Sequence, residues 1–241
     1  MKTAMWVIIK KEMLVAVRSS RWQNLVSILG VVVLQCSMMH RFVKPPAKAF
    51  GHLPDMGNAI NMGAAMILLY VAPMVIPFMA TSFLVRSFSF ERGNGELAPI
   101  LATGVDAGFL WALKTLAIFA YCYAFALVVM LLDTLILTVY FRLPLSLPFT
   151  TVCLATIVSP VAALAVTAIM SFMYWIVRVG SMVANILPMT IIMGLISLSR
   201  SHPTTMVMVK MVMIVTAAAG SLLGVCAWII SRVSKARLLG M

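Results

Sequence analysis

A chain of 241 residues that is 63% hydrophobic and 10% charged, with a mean hydropathy of +1.09, lies far outside the range of soluble globular domains. Its net charge of +12 calls for no nucleic acid, because basic flanks of apolar segments are what anionic lipid surfaces attract. What is left is an integral membrane protein.

The chain opens on a basic stretch, 1–21, which on a helical wheel gathers Lys10, Lys11, Arg18 and Arg21 in one arc, with Ile9, Met13 and Ala16 roughly opposite. Glu12 interrupts the apolar arc, and Val7 and Leu14 the basic one. The pattern predicts an interfacial helix lying along the cytoplasmic leaflet, with Trp6 and Trp22 at headgroup depth; the alternative is a basic tail that only fixes topology. Charged residues of both signs precede the first apolar run and no small-residue cleavage pattern trails it, so the reading includes no cleavable signal.

Six apolar runs follow, each long enough at about 1.5 Å per residue to cross roughly 30 Å of hydrocarbon. The predicted spans are 22–39, 59–85, 112–133, 149–174, 180–198 and 207–230. Continuous rather than alternating runs disfavour a β-barrel, so the expected fold is an all-α membrane protein forming one transmembrane domain. Between the first two spans, His40 to Asp55 forms an external loop made extended by Pro45, Pro46 and Pro54. His40 and His52 could bind a metal there, but without partner ligands at defined spacing a plain surface loop is the simpler reading. Pro73 and Pro77 fall inside the second span, Pro160 inside the fourth and Pro188 inside the fifth, each removing a backbone donor.

Six spans put both termini on one side. That side collects twelve Lys and Arg residues against six on the other, which places the termini, including the tail 231–241, in the cytoplasm of a cell (inner) membrane protein. The cysteines Cys36, Cys122, Cys153 and Cys226 each fall within a span and far apart, which reads as buried thiols, not a disulfide framework or metal motif. Met206, Met208, Met211 and Met213 could bind a soft metal or serve as core packing; no metal site is assigned.

Segment 86–111 is the polar island of the chain. It reads Arg86-Ser-Phe-Ser-Phe-Glu91-Arg92-Gly93-Asn94-Gly95-Glu96-Leu97-Ala-Pro99-Ile-Leu101, continues to Asp106, and is followed by Lys114. Gly93 and Gly95 permit a tight turn, after which Glu96 and Pro99 fit the first turn of a short helix whose Leu97, Ile100 and Leu101 line one face. Nothing else on the chain is large enough to cover that face.

This pattern resembles the permease subunits of ABC-2 type exporters, of the type V-like architecture. Their loop between the second and third spans carries a glutamate–arginine pair, a glycine turn, a leucine-rich short helix and a lysine opening the next span. The matching positions are Glu91, Arg92, Gly95, Leu97, Ile100, Leu101 and Lys114, and the resemblance extends loosely over the whole chain. Glu96 stands where the family often has threonine, and Gly104 where it often has proline. The resemblance implies that 86–111 holds a coupling helix that docks on a separate ATPase, with Glu91, Arg92, Gly95, Glu96, Leu97, Ile100 and Leu101 at the contact. It implies two such permeases, identical or related, working with ATPase subunits that carry the ATP and Mg; this chain needs no cofactor. No Gly-Lys-Ser/Thr phosphate loop follows Gly93-Asn94-Gly95, so the chain is read as a transport subunit without a catalytic motif.

Asp133 is the one acid inside a predicted span. Nineteen residues beyond Lys114, or about 28 Å, it falls near the outer interface, and it reads either as an interfacial acid or as a substrate contact. Tyr121 and Phe125 could line an apolar route beside it, or serve ordinary helix packing. An intramembrane enzyme lacks its ingredients here. An ion-coupled carrier, or a membrane assembly protein without an ATPase partner, is the alternative to an exporter subunit, and the transported substrate is not legible.

Overall fold

The computed structural model describes residues 10, 11, 14, 29, 30, 33, 56–95, 97–102, 104–140, 147, 149–177, 186, 190 and 205–232. All regular structure among them is helical. We number the α-helices α1 (Met56–Leu84), α2 (Leu97–Ala102), α3 (Ala107–Leu135), α4 (Phe149–Cys153), α5 (Ser159–Phe172) and α6 (Thr205–Arg232). Three long apolar helices, Ile67–Phe88, Ala107–Val139 and Phe149–Trp175, could each cross a membrane, as a multi-pass membrane protein requires. The predicted span 207–230 falls on α6, within which Gly220–Ile230 is a described apolar stretch. Nearly all of the predicted spans 22–39 and 180–198, of the interfacial segment 1–21 and of the tail 231–241 lies outside the described residues.

The helices run past the predicted span ends because nothing in the sequence stops them there. After α1 the chain continues as a wider π-helix over Val85–Phe90 and a last helical turn over Glu91–Gly93, so the helix breaks only at the Gly93-Asn94-Gly95 turn. α3 begins at Ala107, five residues earlier than the predicted 112, because Asp106 caps it: its Oδ2 accepts the Phe109 backbone N–H at 2.9 Å. At its far end α3 continues past Asp133 as a π-helix over Ile136–Tyr140.

Side-chain contacts fix the directions of the helices. Phe83 meets Tyr121, and Ser87 meets Lys114, so α1 and α3 are antiparallel. Trp111 bonds Ser171 and Tyr123 bonds Thr156, so α3 and the α4–α5 helix are antiparallel as well. Gly108 lies beside Ile230, which brings the end of α6 to the start of α3.

The core between α1, α3, α5 and α6 is built from Leu68, Val71, Ala72, Val75, Ile76, Phe88, Leu110, Trp111, Cys122, Ala126, Ala163, Met170, Trp175, Cys226 and Ile230, among others. The outward faces are equally apolar: Leu131 is 70% exposed, Val139 68% and Phe149 81%. Water would penalise such faces, whereas hydrocarbon does not distinguish them from the interior, so helix association must rest on packing and interhelical hydrogen bonds.

Those bonds are specific. Pro73 cannot donate to the carbonyl of Leu69, and the hydroxyl of Ser159 on α5 donates to that carbonyl instead, at 2.8 Å. Pro160 likewise withholds its donor from Thr156, whose carbonyl accepts the Tyr123 hydroxyl at 2.7 Å. Further along, Ser171 donates to Ala168 O (2.8 Å) and accepts Trp111 Nε1–H (2.7 Å). Its one proton is then committed, so Thr115, 2.9 Å away, is the donor in their mutual bond. The helices α1, α3 and α4–α5 are thus tied by hydroxyl groups at proline-freed or otherwise buried polar points.

Candidate functional site

The charged groups of the bundle meet where α1 ends and α3 begins. The helix running through Arg86-Ser-Phe-Ser-Phe carries Ser87, Phe88 and Glu91 inward, and Lys114 reaches them from the second turn of α3. Lys114 is 1% exposed and Glu91 8%. The ammonium of Lys114 pairs with Glu91 Oε2 and donates to Ser87 Oγ at 3.1 Å and Ser87 O at 3.2 Å, so its three N–H groups have three acceptors. The Phe88 ring lies 5.7 Å from the same nitrogen and packs on Trp175 with centroids 5.4 Å apart. Glu91 Oε1 accepts a second lysine, Lys11, at 2.9 Å, whose side chain is 44% exposed.

One carboxylate therefore bridges two ammonium groups. The arrangement joins the basic segment ahead of the first predicted span, the foot of α1 and the start of α3 at a single atom pair each. Aromatic walls exclude water from the Lys114 side and strengthen that attraction, while Lys11 remains wetted and weaker.

Beyond this cluster the chain turns. Gly95 (φ +73°) and Gly104 (φ +86°) occupy left-handed backbone conformations that only glycine adopts without strain, and they bracket α2. Gly93, Asn94, Gly95, Pro99, Ala102 and Asp106 are exposed. Leu101, expected at the docking contact, is 2% exposed and belongs to the bundle's own core. Leu97, Ile100 and Arg92 have described backbone positions, on α2 and on the turn before it, but their side chains lie outside the described residues, as does Glu96 altogether.

The residues predicted for a substrate route are not gathered at one point. Tyr121 packs edge-on to Phe83 (5.2 Å) and tilted against Phe125 (5.2 Å), and both residues are half-buried. Asp133 lies farther along α3 on the inward stripe that includes Cys122, Ala126, Val129, Met130 and Leu137. It is 2% exposed, so it is enclosed by the bundle and not displayed on its surface.

Two features of this site escape residue-by-residue reading. Glu91 and Lys114 are 23 positions apart, and only the reversal of the chain at Gly93–Gly95 and Gly104 makes them partners. The available signal was that each is an uncompensated charge at the end of an apolar run. Asp106 as helix cap was visible as an acid three residues before Phe109 at the start of an apolar stretch. Comparisons with protein-family models, with curated proteins and with solved structures found no match for this chain.

Proposed function

We propose that this chain is the transmembrane permease subunit of an ATP-driven exporter of the ABC-2 type, coupled to a separate ATPase and forming the substrate route with a second permease copy or a related permease. The observation that carries the reading is the double ion pair of Glu91 with Lys11 and Lys114, directly preceding an exposed glycine turn. A push on that turn acts on a rigid junction of three segments, so it moves α1 and α3 together and draws on the N-terminal segment. The order of motif residues from Glu91 to Lys114 supports the same reading. In it, the partner contacts the exposed side of the turn and α2, through Pro99 and Ala102 among the described side chains, while Glu91 and Leu101 hold the lever to the bundle. Both termini are cytoplasmic in this assignment, and the protein resides in the inner membrane.

The test is purification of the full chain in mild detergent from its native membrane. An ATPase subunit carrying its own phosphate loop is expected to co-purify, and Ala102→Asp is expected to release it without lowering the thermal midpoint of the permease. Absence of any ATPase from preparations of the unaltered protein overturns the proposal. The alternative, an ion-coupled carrier without an ATPase, draws on one specific observation, the enclosed carboxylate of Asp133.

A further inference from the structure

Asp133 is an enclosed acid that takes no part in the hydrogen bonds and ion pairs described above. Its Oδ2 is buried and has no hydrogen-bond partner, and no ion pair reaches it among the described residues. The contrast with Glu91 is direct, since the cytoplasmic carboxylate holds two lysines. The described faces at its level are mainly apolar, and the polar groups among them are the half-buried Tyr70 on α1 and the Ser159 hydroxyl, which is bonded to the Leu69 carbonyl. Leu137, one turn on, packs with Ala64 and Ile67, and Tyr121 packs with Phe83. Interpolating between those contacts sets Asp133 level with Leu68 to Val71 on α1, of which Leu68, Leu69 and Val71 are at most 7% exposed. The titratable groups on the facing elements are Tyr70 on α1 and Cys153 on α4, both half-buried; Lys210 is a position near the start of α6.

An ionised carboxylate in such a place is strongly disfavoured, and a lone neutral acid there gains nothing for stability. Its chemistry is therefore that of a group waiting for a positive charge. Among the described residues no cluster of three metal-ligating side chains exists, so a divalent ion would find one carboxylate in exchange for its hydration shell. A diffuse, weakly hydrated organic cation with apolar substituents sacrifices little hydration and suits surroundings that are mainly apolar.

We propose that Asp133 is the recognition site for a lipophilic monovalent cation, which it binds in exchange for its own proton. In the empty bundle the acid is neutral. When the cation enters, the O–H bond breaks, the proton leaves to solvent, and the carboxylate pairs with the cation, so net charge in the site is unchanged. The assignment rests on the export reading and names its substrate class: amphipathic amines and other hydrophobic cations, not acidic lipids or anionic glycolipids.

The experiment uses the full-length protein in lipid nanodiscs with tetraphenylphosphonium as probe, its isosteric anion tetraphenylborate as control, and empty nanodiscs as blank. Saturable phosphonium binding is expected, with release of up to one proton per cation in weakly buffered solution, and no competition from tetraphenylborate. Asp133→Asn, a neutral isostere that leaves folding intact, is expected to weaken binding at least tenfold and to abolish proton release, whereas Asp133→Glu retains both in part. Equal phosphonium affinity in the unaltered and Asp133→Asn proteins overturns the proposal, as does the absence of saturable binding by the unaltered protein. Loss of cation binding while an ATPase still co-purifies removes the cation site alone. Cation binding with proton release but no ATPase removes the export reading and leaves a carrier.

Discussion

The hydroxyl of Ser159 stands 2.8 Å from the carbonyl oxygen of Leu69, the oxygen that Pro73 leaves without its helical donor. A kinking proline on one helix and a small hydroxyl residue on another are thus one unit of structure. In a bilayer, where apolar burial between helices contributes little, such a bond is worth about 0.6 kcal/mol on average and up to about 1.7. We expect Ser159→Ala to destabilise the bundle by an amount in that range. In a Pro73→Ala background the restored N–H at position 73 takes over the Leu69 carbonyl, so the same Ser159→Ala change is expected to cost less. Thermal unfolding of the four proteins in detergent measures the coupling, and equal cost in both backgrounds refutes it.

Removing one member of a buried ion pair strands the other, at about 3–5 kcal/mol. Glu91→Gln leaves the ammonium of Lys114, 1% exposed, with neutral acceptors only, and is expected to be the most damaging change at the cytoplasmic junction. Lys114→Met leaves Glu91 paired with Lys11 and is expected to cost less. Lys11→Ala, at a side chain 44% exposed, is expected to cost under about 1 kcal/mol. The double variant Glu91→Gln with Lys114→Met should recover part of the loss. A stability series in any other order shows that Glu91 is not the shared partner.

Ser171 holds two donors from α3, the Trp111 indole N–H and the Thr115 hydroxyl. Ser171→Ala orphans both in a site where each residue is at most 4% exposed, and about 1–3 kcal/mol of stability is expected to be lost. Trp111→Phe removes one donor together with its need and is expected to be milder. Near-ultraviolet circular dichroism with thermal unfolding reads both changes, and a Ser171→Ala protein as stable as the original contradicts the bonding scheme.

Gly95 is held at φ +73°, while Gly93, two residues earlier, sits in a helical turn with open space around it. Gly95→Ala is expected to cost about 1–2 kcal/mol of backbone strain and Gly93→Ala none. If the turn is the contact for an ATPase, Gly95→Ala should also reduce the amount of ATPase retained on purification. Identical behaviour of the two alanine variants would show that the turn's conformation carries no weight.

Much of the outline was legible in the chain itself. Hydropathy marked α1, α3 and the α4–α5 helix, since a run of apolar residues long enough to cross hydrocarbon leaves little choice but a helix, and the glycines at 93 and 95 located the break between the first two. The ends were less legible. Asp133 read as the boundary of a span, because an acid is ordinarily driven to water, yet the helix carries it inward and continues to Tyr140. Leu101 read as a surface anchor because a six-residue helix shows an apolar face without saying what covers it.

Composition and periodicity determined that this is a helical bundle suited to lipid, because the free energy of placing a residue in hydrocarbon is a property of that residue alone. Tertiary structure decided the partners: Glu91 with Lys114 and Lys11, Ser159 with the carbonyl freed by Pro73, and Asp133 with none among the described residues. Pairings of this kind depend on which turns of separate helices come level. That register is set by packing across the whole bundle, and no local stretch of sequence encodes it.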